Sequence, residues 1–359
     1  MSRKSTDSST EAANADTSTK RRRRGSGRAT LGDVARLANA APITVSRYVA
    51  NKESVSRELG ERIEAAIVKL DYVPNRIAQG LASASSPIVA AIVPSIMHSI
   101  FATTLDVLSK RLQAHGYQLL LGNTSYSREQ EEALIRTFLH WSPAALVVVG
   151  HSRSAAAQAL LERCPVPVVE TWDLDPSAPL MQVGFSQIDA ARDMALHLRN
   201  RGYRRIAYVN NGLADDVRSR VRERGCREAL DAHGQETIVT IATGESPLQA
   251  GRDALVHLLR MSPRPDAIFF ANDNLAAGAL LEAQRRGLRV PEDVAIAGFG
   301  DFPIAAMLTP SLTTIAPPVD VIGEATANLL LARFGHIHPG EMPGSVIDVG
   351  YQLLAREST

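Results

Sequence analysis

Three sets of residues in this sequence have types and spacings that could do chemistry. The first lies in Pro42-Ile43-Thr44-Val45-Ser46-Arg47, where apolar groups, two hydroxyls and one arginine fall within two helical turns. Such a set suits double-stranded DNA, because hydroxyls and apolar groups can meet base edges while an arginine grips guanine or phosphate. The second set follows a series of apolar runs: Ser95, His98 and Phe101, then Asn123 to Tyr126, Trp172 and Asp173, Asn272-Asp273, and Phe299-Gly300-Asp301. With it goes a helical stretch from Val217 carrying Arg218, Arg220, Arg222, Arg224 and Arg227, of which only one or two can point inward. The third is Gly150-His151-Ser152-Arg153-Ser154, which begins like a nucleophile elbow but has Ser154 where the closing glycine belongs. A hydrolase is disfavoured. No G-x-G-x-x-G follows a strand and no phosphate-binding loop is present, which argues against dinucleotide and ATP enzymes. Cys164 and Cys226 stand far apart, without Cys or His at ligand spacing, so neither a zinc site nor a redox motif is read from them. The expectation is a protein that is not an enzyme and needs no cofactor.

The elements that must position the first set are short helices. Thr30-Leu31-Gly32-Asp33 has the spacing of a capping box variant and opens a helix with Leu31, Val34, Ala35 and Ala38 on one face. Asn39-Ala40-Ala41 makes a tight turn, and Pro42 suits the first turn of the next helix because its missing N–H would be unpaired there. A third helix starts behind Ser56 and lines up Leu59, Ile63, Ala66, Ile67 and Leu70 before Pro74 stops it. Two helices with a three-to-four-residue turn can lay the second in a major groove. A purely structural three-helix bundle is the alternative. Residues 1–28 lack apolar periodicity and end in Lys20-Arg21-Arg22-Arg23-Arg24, so they read as a disordered basic arm, either a phosphate contact or a solvated tail. Charge follows the same division: residues 1–84 carry 15 Lys and Arg against 9 Asp and Glu, and the rest 24 against 29. A basic end on an acidic body suggests a polyanion partner.

The second set needs a different scaffold. Beyond Pro87 about eight apolar runs alternate with amphipathic stretches, from Ile88–Val93 to Val294–Ala297, which is how buried parallel strands with helical crossovers read. That number exceeds one compact open sheet, so two doubly wound subdomains with a cleft between them are expected, with ligand groups at the carboxyl ends of the strands. With 359 residues, 45% hydrophobic and 21% charged, the chain holds two or three folding units around a substantial core. No apolar run spans a bilayer and the start is polar and basic, so a cytoplasmic protein without membrane partners is expected.

Asp33-Val34-Ala35, Thr44-Val45-Ser46-Arg47 and Asp71-Tyr72-Val73-Pro74-Asn75-Arg76-Ile77-Ala78 together resemble the head of the lactose-repressor (LacI) family. The resemblance runs from about Thr30 to Tyr351. It implies that Thr44, Ser46 and Arg47 contact operator DNA, with Pro42 and Ile43 at variable base-reading positions, and it places Thr30, Ser56, Asn75 and Ala78 on the DNA side. One departure is Asn39-Ala40-Ala41 where the family usually has Gly-Val-Ser, which removes a serine cap. The segment from Asn75 resembles a hinge helix too short to be stable alone, whose Leu81 resembles the wedge pushed into a minor-groove step, and Gly80 weakens the helix further. In the body, the resemblance assigns Arg222 to effector binding and Asn272-Asp273 to the sugar pocket. Because the usual acid after Gly-Phe is replaced by Gly300, its role shifts to Asp301. Ser95, Phe101, Trp172 and Phe299 complete the expected effector site. Val168-Val169-Glu170, Val183-Gly184-Phe185 with Ala190-Ala191-Arg192, and Ala297-Gly298-Phe299 look like the gluconate-repressor branch. An arginine in a closed cleft favours a carboxylate, so a sugar acid such as gluconate or 2-ketogluconate is implied.

The expected organisation is therefore a basic arm over 1–28, an all-α helix-turn-helix head over 29–74 and a hinge helix over 75–84. An α/β core like that of periplasmic binding proteins follows over 85–359, in two interleaved doubly wound subdomains. The expected partners are double-stranded operator DNA, a small sugar or sugar acid and a second copy of the chain. A sugar-binding receptor without a DNA role is the runner-up. No leucine heptad follows Tyr351, so a tetramer through a C-terminal coiled coil is not expected.

Overall fold

The computed structural model describes residues 29–73, 86–175, 177–213, 216–244, 246–337 and 344–359. Contacts divide the chain into two units, Met1–Gln79 and Gly80–Thr359. The expected basic arm, and the expected hinge with Asn75, Ala78, Gly80 and Leu81, lie outside the described residues.

In the first unit, α1 (Leu31–Leu37), α2 (Pro42–Ala50) and α3 (Arg57–Lys69) close on one small core of Val34, Ala35, Ala38, Val45, Tyr48, Ile63 and Ala66. The capping box is present: Thr30 Oγ1 accepts from Asp33 N at 3.3 Å, and Asp33 Oδ2 accepts from Thr30 N at 3.0 Å. Truncating a fully buried side chain such as Ile63 to alanine costs about 2–5 kcal/mol, a large share of the stability of so small a unit.

The turn between α1 and α2 explains the departure at Asn39. Asn39 has φ +48°, a left-handed conformation that asparagine tolerates better than most residues, so it does there what glycine would. Arg62 on α3 braces the same turn by donating to the Ala38 and Asn39 carbonyls. At the start of α2, Ala41 is an N-cap without a side-chain bond, and Pro42 occupies the first turn as expected. Ser56 is the N-cap of α3 but its side chain makes no capping bond, so its stabilising role is smaller than the sequence suggested.

The second unit contains two six-stranded sheets among the described residues. β1 (Ile88–Val93), β2 (Gln118–Asn123), β3 (Ala145–Val149), β4 (Val168–Asp173), β5 (Met181–Phe185) and β11 (Val346–Asp348) form the first, in the order β11-β5-β4-β3-β1-β2. β6 (Ile206–Asn210), β7 (Ile238–Ile241), β8 (Ala267–Phe270), β9 (Ala295–Phe299), β10 (Thr313–Ala316) and β12 (Gln352–Leu354) form the second, in the order β12-β10-β9-β8-β6-β7. Every pairing is parallel except β10 with β12. Both sheets reverse strand order beside their first strand, the switch point where open α/β sheets form a ligand crevice. The chain crosses between them after β5, after β10 and after β11, so the two sheets are interleaved along the sequence.

The helices that carry the cleft start at the carboxyl ends of strands: α4 (Ser99–Gln113), α5 (Arg128–His140), α6 (Ala155–Glu162), α7 (Gln187–Asn200) and α8 (Val217–Asp231). Later come α9 (Pro247–Leu258), α10 (Asp273–Arg285) and α11 (Val319–Arg333). α8 packs close against the start of α7 because position 225 is glycine: a Cβ there would sit 2.3 Å from the Ile188 carbonyl oxygen. No helix of the described residues is long and apolar enough to cross a membrane.

Candidate DNA-reading face and ligand cleft

On α2, Val45 and Tyr48 are buried in the head core, which fixes the rotation of the helix. Pro42, Ile43 and Arg47 are then exposed, with Thr44 and Ser46 half-buried beside them. Ile43 is 62% exposed, a large apolar side chain left in water at the amino-terminal turn, where a reading helix meets base edges. The expected DNA-side residues of α2 thus share one accessible surface. Thr30 and Ser56 are also exposed, each at the amino end of its helix.

In the cleft, residues from the carboxyl ends of both sheets enclose a tight inner cavity of about 30 Å³. Phe101, Trp172, Arg222, Asn272 and Phe299 line it, as expected, together with His98. Arg222 is its cationic centre. Its Nη1 donates to Gln187 Oε1 at 2.7 Å and its Nη2 to the Ala271 carbonyl at 3.1 Å, while its guanidinium lies 4.2 Å from the centre of the Phe299 ring. Its Nε is buried and has no hydrogen-bond partner. The guanidinium so fixed lines the cavity, and a carboxylate oxygen is the acceptor that matches its charge. Arg218, one turn earlier on α8, lies 5.6 Å over the Phe101 ring and 3.9 Å from Asp173 Oδ2. Arg220, Arg224 and Arg227 are exposed, so two of the five arginines line this inner cavity.

Neighbouring groups partly balance the charge of Arg218 and Arg222. Asp216 caps α8 through Ser219 N and accepts from Asn211 Nδ2 at 2.6 Å. Burial pushes its carboxyl up, but Arg218 and Arg222 outweigh that and hold it below the usual carboxylate range. Burial lowers the His98 pKa, favouring the neutral ring, and His98 Nδ1 meets the Tyr126 hydroxyl at 3.2 Å. The Tyr126 hydroxyl is itself pushed up to about 12 by burial, so it remains protonated.

Three of the expected effector residues stand elsewhere. Ser95 lines neither this cavity nor its neighbour, because its hydroxyl accepts from Met97 N at 3.1 Å within its own loop. Asp301 pairs with Arg356 Nη2 at 2.7 Å instead of facing the cavity, so the role moved onto it from Gly300 is not supported by the geometry. Asp273 is fully buried and accepts from Thr314 Oγ1 and from Phe302 N, each at 2.7 Å. It fastens the loop that carries Phe302 to the cavity wall and does not line the cavity itself. Position 298 has to be glycine for this, since a Cβ there would lie 2.2 Å from Asp273 Oδ1. Asn272 does reach the cavity, while its Oδ1 caps α10 by accepting from Leu275 N at 3.1 Å.

A second, larger cavity of about 420 Å³ adjoins the first and shares Tyr126, Gln187 and Arg218 with it. It is lined by Gly150, His151 and Ser152, the segment that began like a nucleophile elbow. Ser154 there is the N-cap of α6, accepting from Ala157 N at 3.0 Å, and His151 Nδ1 lies 2.7 Å from Glu170 Oε2. Glu170 also pairs with Arg153, whose side chain is equally buried. Burial opposes the charge on His151, but the Glu170 carboxylate outweighs it and raises the His151 pKa. The sequence signal for this group was available: Glu170 is the one charged residue within the run Val168-Val169-Glu170-Thr171-Trp172, and a buried charge needs a partner. Gln187 was missed because β5, which delivers it, was missed.

Two domain descriptions match the chain: bacterial regulatory proteins of the lacI family over residues 30–75, and a periplasmic binding protein-like domain over residues 195–359. The chain is 41% identical over 338 residues to the HTH-type transcriptional regulator GntR of Pseudomonas aeruginosa, covering 94% of this chain and 97% of that protein. A LacI-family transcriptional regulator from Silicibacter pomeroyi superposes with a TM-score of 0.85 at 32% identity, covering 92% of this chain and 99% of the other. The lac repressor dimer bound to operator and the anti-inducer ONPF superposes with a TM-score of 0.77 at 26% identity, over 92% of this chain and 99% of that one.

Proposed function

This chain belongs to the LacI family of bacterial DNA-binding transcriptional regulators, and on that premise we propose that it is a homodimeric repressor controlled by a small sugar acid such as gluconate or 2-ketogluconate. Pro42, Ile43, Thr44, Ser46 and Arg47 read the operator. The head supports this reading because these side chains share the accessible face of α2 while Val45 and Tyr48 hold that helix in place. Arg222 receives the carboxylate. The observation that carries the effector class is the buried, unpartnered Nε of Arg222 in a cavity walled by Phe101, Trp172 and Phe299. A carboxylate there gains charge-assisted hydrogen bonds that a neutral sugar hydroxyl does not match, each contributing about 1.5–3 kcal/mol.

Two variants of the full chain test the two halves of the proposal. Arg47→Ala should weaken binding to a DNA sequence selected from a random pool by about tenfold or more, and binding to unrelated DNA far less. An equal loss on both sequences would make Arg47 a phosphate contact only. Arg222→Ala should abolish the thermal shift given by sugar acids, and an unchanged shift would remove the carboxylate assignment.

A further inference from the structure

The inner cavity holds about 30 Å³, enough for one or two waters but not for a six-carbon acid. The adjoining cavity holds about 420 Å³, within the range of small-molecule sites. Arg218, Tyr126 and Gln187 form the wall common to both. A ligand whose carboxylate reaches Arg222 therefore finds room for its remaining atoms only past that wall. The larger chamber also contains two buried polar atoms with no partner, His151 Nε2 and Asp173 Oδ1. Each is held in place from behind: His151 by Glu170 at 2.7 Å, and Asp173 by its position at the end of β4, where Arg218 approaches its other oxygen only to 3.9 Å. Ile92, Val93, Val149, Leu174 and Val221 supply apolar wall between these polar points.

We propose that the two cavities are one divided ligand site, in which the Arg222 side takes the carboxylate and the larger chamber takes the hydroxylated carbon chain, with His151 Nε2 and Asp173 Oδ1 hydrogen-bonding hydroxyls far from the acid group. This rests on the sugar-acid reading above and adds how chain length is recognised. Arg218 acts as the divider. Its Nη1 stands 3.9 Å from Asp173 Oδ2, which leaves Oδ1 for a ligand hydroxyl. A short hydroxy acid fills only the Arg222 side, while a six-carbon acid engages both.

The test is calorimetric titration of the full chain with gluconate and with glycerate, which keeps the acid end and lacks the three distal carbons. The wild-type protein should favour gluconate by about tenfold for each hydroxyl contact made in the larger chamber. His151→Phe and Asp173→Asn should each remove about one such factor from the preference. Leu174→Trp, which adds bulk to the chamber wall, should remove gluconate binding and retain glycerate binding. Variants that keep the full preference, or lose both acids in equal proportion, overturn the inference while the requirement for Arg222 stands. If neither acid binds, or both bind without Arg222, the sugar-acid reading falls and the divided site falls with it.

Discussion

Arg222 and Asp273 show how differently two residues from the same expected site can be used. Arg222 lines the inner cavity and its Nε has no hydrogen-bond partner, whereas both oxygens of Asp273 are consumed by Thr314 and Phe302. Sequence could place both near the cleft, because each follows a strand of the second sheet. It could not tell a ligand contact from a loop fastener, since that depends on Gly298 and Thr314, which arrive from other strands. Asp301 was misjudged for the same reason, its partner Arg356 being 55 residues away. The consequence for Asp273 is measurable. Burial pushes its carboxyl up to about 7, above the ordinary value of 3.8, so the folded state binds a proton more tightly than the unfolded one. The stability this group contributes is fully present below about pH 4 and is lost as pH rises through about 7, at up to about 1.4 kcal/mol per pH unit between those limits. Urea melts between pH 4 and 8 should show that decline in the wild-type protein and a flatter profile in Asp273→Asn; equal slopes would contradict the assignment.

At the scale of elements, long apolar runs were legible and short or mixed ones were not. β1, β2, β3, β6, β7 and β8 fall where continuous apolar runs placed them; β1, β3, β6 and β8 need such runs because both their faces are buried. β5 reads Met181-Gln182-Val183-Gly184-Phe185, β10 has two threonines, and β11 and β12 are three-residue edge strands. None has enough apolar length to stand out, yet they complete both sheets. β5 matters most to the site, since Gly184 pairs with Trp172, which has φ +78°. A Cβ at position 184 would lie 2.7 Å from the Asp173 backbone, so the strained Trp172 that walls the inner cavity depends on that glycine. In the head, the missing cap at Ala41 is a defect that can be repaired. Ala41 already has φ −71° and ψ 144°, the extended geometry of an N-cap. Ala41→Ser should therefore stabilise the protein's head by about 1 kcal/mol in thermal or urea unfolding. No gain would mean that Pro42 and the Arg62 brace already satisfy the turn.

At the scale of the molecule, the ligand cleft is built from both sheets, and only the three crossovers join them covalently. A ligand held between Arg222 on one side and Trp172 and Phe101 on the other favours whichever arrangement brings the sheets together. It can change DNA affinity only by the difference in its own affinity for the two arrangements. Couplings of about 1–3 kcal/mol are typical, which corresponds to about 5- to 150-fold in operator affinity. Composition made this two-part organisation visible, through a basic end on an acidic body and a change from helical to βα periodicity near Pro87. The most direct measurement is the affinity of the full chain for its selected operator at fixed salt, with and without saturating gluconate. A shift of at least about fivefold is expected in the wild-type protein and none in Arg222→Ala. An operator affinity that stays constant while gluconate fills the cleft would contradict that expectation.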